Sequence, residues 1–403
     1  MVLLDFYFFQ ALKTITQSAN PKTRLIIFVA YWAISAGAVI ILLILPYLHF
    51  DQQNRLFRNT LFACIAGLFF AKLIASSVFL IDDLRRLIQW GAGKIFFSNT
   101  EGESMQSGER ISRSVFLSWA GMLMGGGLFG SLVYGFGNKY NYQLNKMKLA
   151  FQNLPASFKG LRIAHISDIH SGSFTEKGAV KKGVQKILDA KPDIILFTGD
   201  LVNNRSDEMD EYIEMFKELK APLGVYSILG NHDYGDYTQW DSQEEKTKNL
   251  DRLKQIHGEL GWRLMLDEHV QVEKNGEKFS LLGVQNISGK SRFKSYGDLS
   301  KAYAGIDQSH FKILMSHDPS HWDAEVRKKY PDINLMLSGH THGMQFGIEI
   351  PGFKWSPVQY VYKQWAGLYE EGNQTLYINR GFGFIGYPGR VGILPEISII
   401  ELV

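Results

Sequence analysis

A run of 21 residues without a charge, from Leu25 to Leu45, constrains this chain more than any other feature of its sequence. A helix needs about 20 apolar residues to cross the hydrocarbon core of a bilayer, so the run predicts a membrane-spanning helix. Two further apolar stretches, Asn59 to Ile81 and Val115 to Phe136, reach a similar length. We therefore predict a membrane domain over residues 1–150 with about three transmembrane helices, near 25–45, 59–81 and 115–136.

Two features of these spans bear on how they pack. Lys72 lies inside the second span, and we expect it to face a neighbouring helix or to extend towards the membrane surface, with a functional intramembrane lysine as the alternative. In the third span, Gly121/Gly125 and Gly126/Gly130 have the small-xxx-small spacing that lets helix backbones approach closely. We expect packing against other spans of the same chain, with homodimerisation as the alternative.

The flanking segments bear on orientation. Residues 1–16 are apolar but short, so the sequence leaves open whether they belong to a further span, and residues 82–114 are predicted to form an amphipathic or loop segment. Eight lysines and arginines flank the spans on the side of the N-terminus and five on the other side. Because positive residues accumulate at the cytoplasmic face, this predicts an extracytoplasmic location for everything after the third span.

After residue 150 the pattern changes. Short apolar runs alternate with charged segments of helical periodicity, which predicts stacked α/β layers. The C-terminal stretches "TLYINRGFG" and "PEISIIELV" add strands with no helix between them. We therefore expect residues 151–403 to form an α/β domain in which a two-sheet β-sandwich core is flanked by helices.

Overall composition argues against two properties. The net charge of +3 is small and no Lys/Arg-rich block is present, so we expect no nucleic-acid partner. The only cysteine, Cys64, falls inside the second predicted span, so a disulfide within the chain is impossible. The oligomeric state is left open by the sequence.

Polar side chains follow five of the strand-like runs, at the point where each run ends. In open α/β sheets, ligands bind outside the carboxyl ends of the strands. Each group taken singly is more often a turn former or a satisfied polar residue, whereas five strand ends in succession predict a metal site. Carboxylate, imidazole and amide oxygen together suit Mn, Fe or Zn better than Ca or Mg. In chain order these groups are Asp168, His170, Asp200, Asn231, His232, His317, His340 and His342.

In the same order, "SDIH", "GD", "GNHD", "SHDP" and "GHTHG" resemble the five blocks of the calcineurin-like metallophosphoesterases, over residues 157–403. Two more stretches, "LGWRLMLDEHV" and "INRGFGFIGYPGRVGILPEI", are similar to the bacterial, membrane-associated YkuE-like branch. The fifth block of that branch usually reads GHTHGGQ. Here Met344 replaces the second of the two glycines after the histidines, a departure from the motif that bears on the shape of that loop.

This resemblance implies a centre of two divalent metal ions. The first ion would be bound by Asp168, His170, Asp200 and His342. The second would be bound by Asp200, Asn231, His317 and His340, so that the carboxylate of Asp200 bridges the two. His232 would face the substrate and protonate the leaving group, and Asp233 would orient His232 through a hydrogen bond.

These groups suit the hydrolysis of a phosphate mono- or diester. Two cations about 3.5–4 Å apart offset the charge of the phosphate and lower the pKa of a bound water towards ~7, so metal-bound hydroxide is the expected nucleophile. The attached spans favour a lipid or lipid-linked substrate. The alternatives are a soluble nucleotide or phosphoprotein, with the spans serving only as an anchor, and a non-catalytic membrane scaffold.

Two further groups of residues are candidates for substrate contact. Arg205, Arg380 and Arg390 are candidates for binding the substrate phosphate, with ordinary surface arginines as the alternative. The stretch from Phe353 to Tyr369 is rich in Trp and Tyr. Such residues favour a bilayer interface, although they could equally pack the edge of the second sheet.

Overall fold

The computed structural model of the protein describes residues 1–47, 55–96 and 113–403. The chain divides into two compact units, Met1–Tyr134 and Gly135–Val403. The second unit begins ahead of the expected boundary at residue 150, because residues 143–149 already form a strand of its first sheet.

The first unit is helical. Three of its segments, Pro21–Ile44, Phe57–Gly91 and Val115–Asn138, are long and apolar enough to cross a membrane, which confirms the three predicted spans. The helix that contains the second predicted span continues to residue 96, into the segment 82–114 that is predicted to be amphipathic or loop. Residues 97–112 lie outside the described part. The helices are α1 (Val2–Ile15), α2 (Pro21–Ile44), α3 (Arg55–Phe96) and α4 (Arg113–Gly135).

Lys72 of α3 faces neighbouring helices within this unit, as predicted. Its Nζ lies 2.6 Å from Oδ1 of Asp5 in α1 and donates to Oγ of Ser35 in α2 at 2.7 Å. All three side chains are buried. A charge inside an apolar unit is tolerated only when it is paired and hydrogen-bonded, and this arrangement meets both conditions.

The glycines of α4 divide into two pairs. A Cβ at Gly121 would collide with the ring of Phe79, and one at Gly125 would collide with the carbonyl of Ala71. This pair therefore lets α4 approach α3 of the same chain closely. The other pair, Gly126 and Gly130, has no atom within 4 Å of the position a Cβ would take.

The second unit contains two six-stranded sheets and a short hairpin. The order in the first sheet is β1 (Gln143–Leu149), β14 (Glu396–Leu402), β2 (Arg162–Ile166), β3 (Ile194–Phe197), β4 (Val225–Ser227) and β5 (Arg263–Leu264). The order in the second is β12 (Gly367–Glu371), β13 (Gln374–Ile378), β9 (Leu335–Ser338), β8 (Lys312–Met315), β7 (Glu277–Gly283) and β6 (Glu268–Lys274). The hairpin is formed by β10 (Ile348–Ile350) and β11 (Phe353–Trp355).

The sheets face each other across one apolar core, and helices cover their outer faces. Ile163 and Leu196 of the first sheet share this core with Leu281, Ile313 and Leu337 of the second. The helices are α5 (Lys177–Asp189), α6 (Ile213–Phe216), α7 (Gln243–Glu259), α8 (Leu299–Tyr303) and α9 (Arg327–Lys329). The two-sheet core flanked by helices is therefore confirmed.

Five strands supply the loops that matter for the site. Strands β2, β3 and β4 of the first sheet run parallel, as do β8 and β9 of the second. Parallel strands present their carboxyl ends at the same edge of a sheet. The loops that leave these five strands carry all eight polar groups that the sequence singles out.

Candidate metal centre

The ligand loops have an unusual backbone. Ten non-glycine residues among those described have a positive φ, and five of these are predicted metal ligands. Side chains with a Cβ avoid this left-handed region, so each such residue costs on the order of 1 kcal/mol and keeps this conformation only because its surroundings enforce it. The five ligands are Asp168, His170, Asp200, His340 and His342, with φ between 48° and 71°. Sharp turns directly after the strands therefore point these side chains at one place.

Two glycines, each next to a predicted ligand in the chain, permit the close approach of these loops. A Cβ on Gly339 would overlap the side chains of Ser167 and Asp168. A Cβ on Gly230 would overlap the carboxylate of Asp200. Each glycine thus brings one strand end against a ligand from another.

The first group of ligand atoms comes from the loop after β2 and the loop after β9. Nε2 of His170 lies 3.1 Å from Nε2 of His342, which in turn lies 3.2 Å from Oδ1 of Asp168. All three residues are buried, and one ligand atom from each lies within 4.8 Å of the others. These are the three non-bridging ligands predicted for the first ion.

The second group comes from the loops that follow β3, β4, β8 and β9. Nε2 of His317 lies 3.1 Å from Oδ2 of Asp200 and 3.2 Å from Oδ1 of Asn231. Nδ1 of His340 lies 2.7 Å from the same amide oxygen of Asn231. The four ligands predicted for the second ion therefore lie together, and ligand atoms of Asp200, His317 and His340 are within 4.8 Å of one another.

Asp200 lies between the two groups. Its Oδ2 is 3.1 Å from His317 in the second group and 3.6 Å from Nε2 of His170 in the first. A single carboxylate within reach of both sets of nitrogens is the arrangement that a bridging ligand requires. The structure thus brings together all seven predicted ligands, with the carboxylate of Asp200 within reach of both groups.

The electrostatics of the centre favour a bound cation. Burial lowers the pKa of His170 to about 3, so this imidazole keeps a free lone pair. Burial would raise the pKa of Asp200, but the imidazoles of His317 and His232 hold it below its ordinary value. Burial likewise opposes the charge on His317, yet Asp200 raises the pKa of His317 to about 10. Without a metal, a proton on His317 therefore compensates a buried carboxylate, which is the charge that a cation would supply.

The donor set fits a divalent transition metal. Two carboxylates, four imidazole nitrogens and one amide oxygen converge, and such mixed N/O sets suit Mn, Fe or Zn. Nδ1 of His317 lies 2.7 Å from the carbonyl oxygen of Thr198, and a proton shared there leaves Nε2 free to bind a metal. Asp168 is held in the same way, because its carboxylate accepts the backbone N–H of His340.

His232 lies beside the ligands without belonging to either group. Its ring is half-buried and its centroid is 5.0 Å from that of His170. Nδ1 lies 2.8 Å from the carbonyl oxygen of Asn203, and the backbone N–H donates to Oδ1 of Asp200. A carbonyl can only accept, so Nδ1 carries the proton and Nε2 is the atom left for a substrate.

Asp233 does not make the hydrogen bond to His232 that was expected. Its buried carboxylate instead accepts backbone N–H groups from Asp200, Leu201 and Gly230 at 2.8–2.9 Å. The carbonyl of Asn203 orients His232 in its place. Asp233 therefore shapes the loop of the bridging ligand, and burial followed by the charge of Asp200 raises the pKa of Asp233 to about 7.

The three candidate arginines lie in different surroundings. Arg205 is partly exposed and stacks over the ring of Trp240 at 4.8 Å. Arg380 is buried and binds the carboxylates of Glu349 and Glu396. Arg390 is fully buried, donates to the carbonyl oxygen of Arg380 and lies 3.2 Å from Nδ1 of the ligand His342. Within the described contacts, the guanidinium groups of Arg380 and Arg390 are thus used inside the fold.

Three further side chains border the second ligand group, and of these only Tyr362 falls in a stretch that the sequence marks as a candidate for substrate contact, residues 353–369. The hydroxyl of Tyr362 lies 2.8 Å from Nε2 of His340, and the ring of Phe293 stands 4.6 Å from that imidazole. Asp318 is buried, with Oδ2 3.7 Å from the same Nε2. Asp318 could have been found, because it directly follows His317. Phe293 carries no such local signal.

Comparison with known proteins gives the family. Residues 1–138 match the family described as "Probable Calcineurin-like phosphoesterase, transmembrane domain", and residues 161–344 match "Calcineurin-like phosphoesterase". The chain is 30% identical over 275 residues to UDP-2,3-diacylglucosamine pyrophosphatase LpxG of Chlamydia trachomatis, which covers 57% of this chain and 81% of that protein. This chain belongs to the calcineurin-like phosphoesterases.

Two other relatives also match this calcineurin-like phosphoesterase. Uncharacterized metallophosphoesterase YkuE of Bacillus subtilis is 27% identical over 311 residues, covering 73% of this chain and 98% of that protein. "Transmembrane protein with metallophosphoesterase domain" of Danio rerio is 28% identical over 263 residues, covering 64% of this chain but only 56% of that protein. The chain thus spans 56% of the length of the Danio rerio relative, and it carries the phosphoesterase domain of the family together with its membrane region.

Proposed function

We propose that this phosphoesterase hydrolyses a phosphate mono- or diester of a lipid or lipid-linked substrate, at a centre of two divalent metal ions. The observation that carries the proposal is the position of Asp200, with Oδ2 3.1 Å from His317 and 3.6 Å from His170. Bound there, two cations would offset the charge of the phosphate and activate a water molecule. Asp168, His170 and His342 would complete one site, and Asn231, His317 and His340 the other.

We assign His232 to the leaving group. Its Nδ1–H is held by the carbonyl of Asn203, so the ring cannot rotate freely and Nε2 faces away from that contact. Because Nδ1–H stays bonded to Asn203, the proton for the leaving group must come from Nε2, so His232 acts from its doubly protonated form and ends as the neutral ring. Such a transfer from a positioned histidine is worth roughly 10²–10⁴ in rate. Asp233 acts through the loop of Asp200, as a positioning residue.

Two observations support a lipid or lipid-linked substrate. The catalytic unit is joined to three helices long and apolar enough to cross a membrane. The relative from Chlamydia trachomatis is named for a diacylated sugar nucleotide, and it is 30% identical to this chain. The excess of positive residues on the side of the N-terminus supports an extracytoplasmic catalytic unit in a bacterial inner membrane.

The test compares three proteins purified in detergent with Mn²⁺: the unchanged chain, His232→Ala and Asp200→Asn. We expect His232→Ala to keep its metal content and lose most turnover of bis-p-nitrophenyl phosphate, because it removes only the proton donor. Asp200→Asn should lose both metal and turnover, because it removes the bridging carboxylate. A metal-free His232→Ala together with a fully loaded Asp200→Asn would show that the roles are wrongly assigned.

The substrate class needs a separate assay. The unchanged chain is offered nucleotides, a phosphoprotein and a panel of phospholipids and lipid-linked sugar phosphates. We expect the highest kcat/KM for a lipid or lipid-linked ester. A higher kcat/KM for a soluble ester than for every lipid would contradict the lipid assignment. The spans would then serve only as an anchor.

A further inference from the structure

The hairpin that follows the fifth ligand loop has an inverted polarity. Strands β10 and β11 are antiparallel, with Ile348 opposite Trp355 and Ile350 opposite Phe353. Side chains alternate between the two faces of a strand, so these four apolar residues share one face, which we call the apolar hairpin face. Glu349 and Lys354, which pair with each other in register, share the opposite face.

The charged face contacts the rest of the unit, with the side chain of Glu349 33% exposed and Lys354 half-buried. Glu349 accepts a hydrogen bond at 2.9 Å from Nε of Arg380, a buried arginine that also binds Glu396. Lys354 donates to the carbonyl of Ala366, and its ammonium lies 5.0 Å from the centre of the ring of Trp365. Both charges of the hairpin are therefore satisfied from within the fold.

The apolar hairpin face points away from the protein. Ile348, Ile350 and Phe353 are 49%, 58% and 52% exposed. The surface continues to Tyr360, which is 77% exposed and whose hydroxyl lies 3.5 Å from Nε1 of Trp355. A two-stranded ribbon in water normally turns its polar face outward, so this arrangement indicates an apolar environment outside the hairpin.

We propose that the apolar hairpin face docks onto the lipid bilayer. The chain's membrane spans keep the catalytic unit beside a bilayer at all times. Trp355 and Tyr360 are the residue types that accumulate at membrane–water interfaces, where an apolar ring meets a polar group. Contact with lipid would bury no unpaired charge, because Glu349 and Lys354 already have partners.

Docking would place the metal centre near the lipid headgroups. Ile348 follows the ligand His342 by six positions, and Ser356, which directly follows β11, donates to the carbonyl of Gly343 at 2.8 Å. The hairpin is thus attached at both of its ends to the loop that carries His340 and His342. This consequence rests on the proposed function, whereas docking itself requires only the spans and the apolar hairpin face.

The test places a fluorophore on the hairpin of the full-length chain in nanodiscs. Ile350→Cys is labelled in a Cys64→Ser background, because Cys64 is the only cysteine. The control label replaces Lys248 (Lys248→Cys), an exposed residue of α7 whose ion pair is with the exposed Glu244. With nitroxide-labelled lipids, we expect several-fold stronger quenching at position 350 than at position 248. The readout does not depend on activity, so it can fail while the proposed function holds, and the reverse.

Two results would overturn the docking proposal. One is equal quenching by the nitroxide lipids at the two positions. The other is protection of position 350 from iodide in solution without quenching by the lipids, which would assign the face to a protein partner. As an independent check, the double variant Ile350→Glu/Phe353→Glu should abolish quenching of a label at Trp355→Cys, and retained quenching would contradict the proposal.

Discussion

Met344 combines two properties that rarely occur together. Its φ is +57°, and its side chain is 56% exposed, directly after the loop of His340 and His342. An L-residue in the left-handed region costs on the order of 1 kcal/mol relative to glycine, because its Cβ crowds the following carbonyl. Glycine adopts this φ without a steric penalty, so Met344 holds the left-handed turn of the loop at the expense of strain.

We therefore expect Met344→Gly to raise the apparent thermal midpoint of the detergent-solubilised protein, since glycine removes the strain. Met344→Ala is the matched control, because alanine loses the long side chain but keeps a Cβ. The free energy of unfolding of Met344→Gly should exceed that of Met344→Ala by about 1 kcal/mol or less. An equal change in stability for the two substitutions would mean that loss of the methionine side chain, and not relief of backbone strain, determines the effect.

Asp233 gives a second prediction at this scale. Replacing one of its carboxylate oxygens by an NH₂ group, as in Asp233→Asn, would turn a donor towards the backbone N–H groups of Asp200, Leu201 and Gly230. We expect the free energy of unfolding to fall by about 1–3 kcal/mol, because a buried donor is left unsatisfied. We also expect lower metal content, because that donor lies beside Asp200. The control is Asp236→Asn, whose carboxylate binds Lys246 and Tyr296 away from the ligands. Full metal content in Asp233→Asn would refute the positioning role.

The side chains of the metal centre were easier to predict than their supports. Ligands such as Asp168 and His317 end apolar runs, so the position of each strand end also gives the position of the ligand. The hydrogen bond from His232 to the carbonyl of Asn203 could not be predicted, because any backbone carbonyl can accept and none has a residue signature. The same holds for the contact between Phe293 and His340, which are 47 positions apart in the chain.

At the scale of elements, His257 couples helix α7 to strand β4. Its Nδ1 lies 2.9 Å from Oγ of Ser227, and its ring packs beside Phe197 and Trp262. The residue is fully buried, and burial lowers the pKa of His257 to about 3. In the unfolded chain the pKa of histidine is about 6.5.

This difference predicts acid sensitivity. As the pH falls below about 6.5, the unfolded chain binds a proton that folded His257 refuses, so stability present above that pH is lost progressively towards pH 3. The contribution is about 1.4 kcal/mol per pH unit. His257→Asn retains a partner for Ser227 but cannot titrate, so its free energy of unfolding, measured by denaturant titration, should fall less steeply between pH 6.5 and 4. Parallel curves for the two proteins would contradict this.

The elements themselves were predictable to different degrees. Alternating apolar runs and helical periodicity indicated the strands and helices around both sheets. The pairing of β1 with β14 joins residues about 250 positions apart, and no local pattern carries such information. For the same reason β1 was assigned to the membrane domain, although its hydrogen bonds are made with the catalytic unit.

At the scale of the whole molecule, the metal centre joins loops from both sheets. Ligands after β2, β3 and β4 meet ligands after β8 and β9, so a bound cation would link the two halves of the sandwich. We expect EDTA to lower the thermal midpoint of the catalytic unit and Mn²⁺ to restore it. One saturated site at 100 times its Kd adds about 2.7 kcal/mol. Asp200→Asn should not respond to EDTA, and an unchanged midpoint for the unaltered chain would count against a stabilising centre.

The place of the last strand has a consequence for how this protein is made. β14 (Glu396–Leu402) lies between β1 and β2 in the first sheet, about 250 positions after β1 in the chain. During synthesis the spans and β1 leave the ribosome first, and β1 has no partner strand until β14 follows. The edge of β2 stays open over the same interval. The first sheet therefore cannot close until about 250 residues after β1 have been synthesised, and a nascent chain held at the membrane would expose two unpaired strand edges to chaperones and proteases until then.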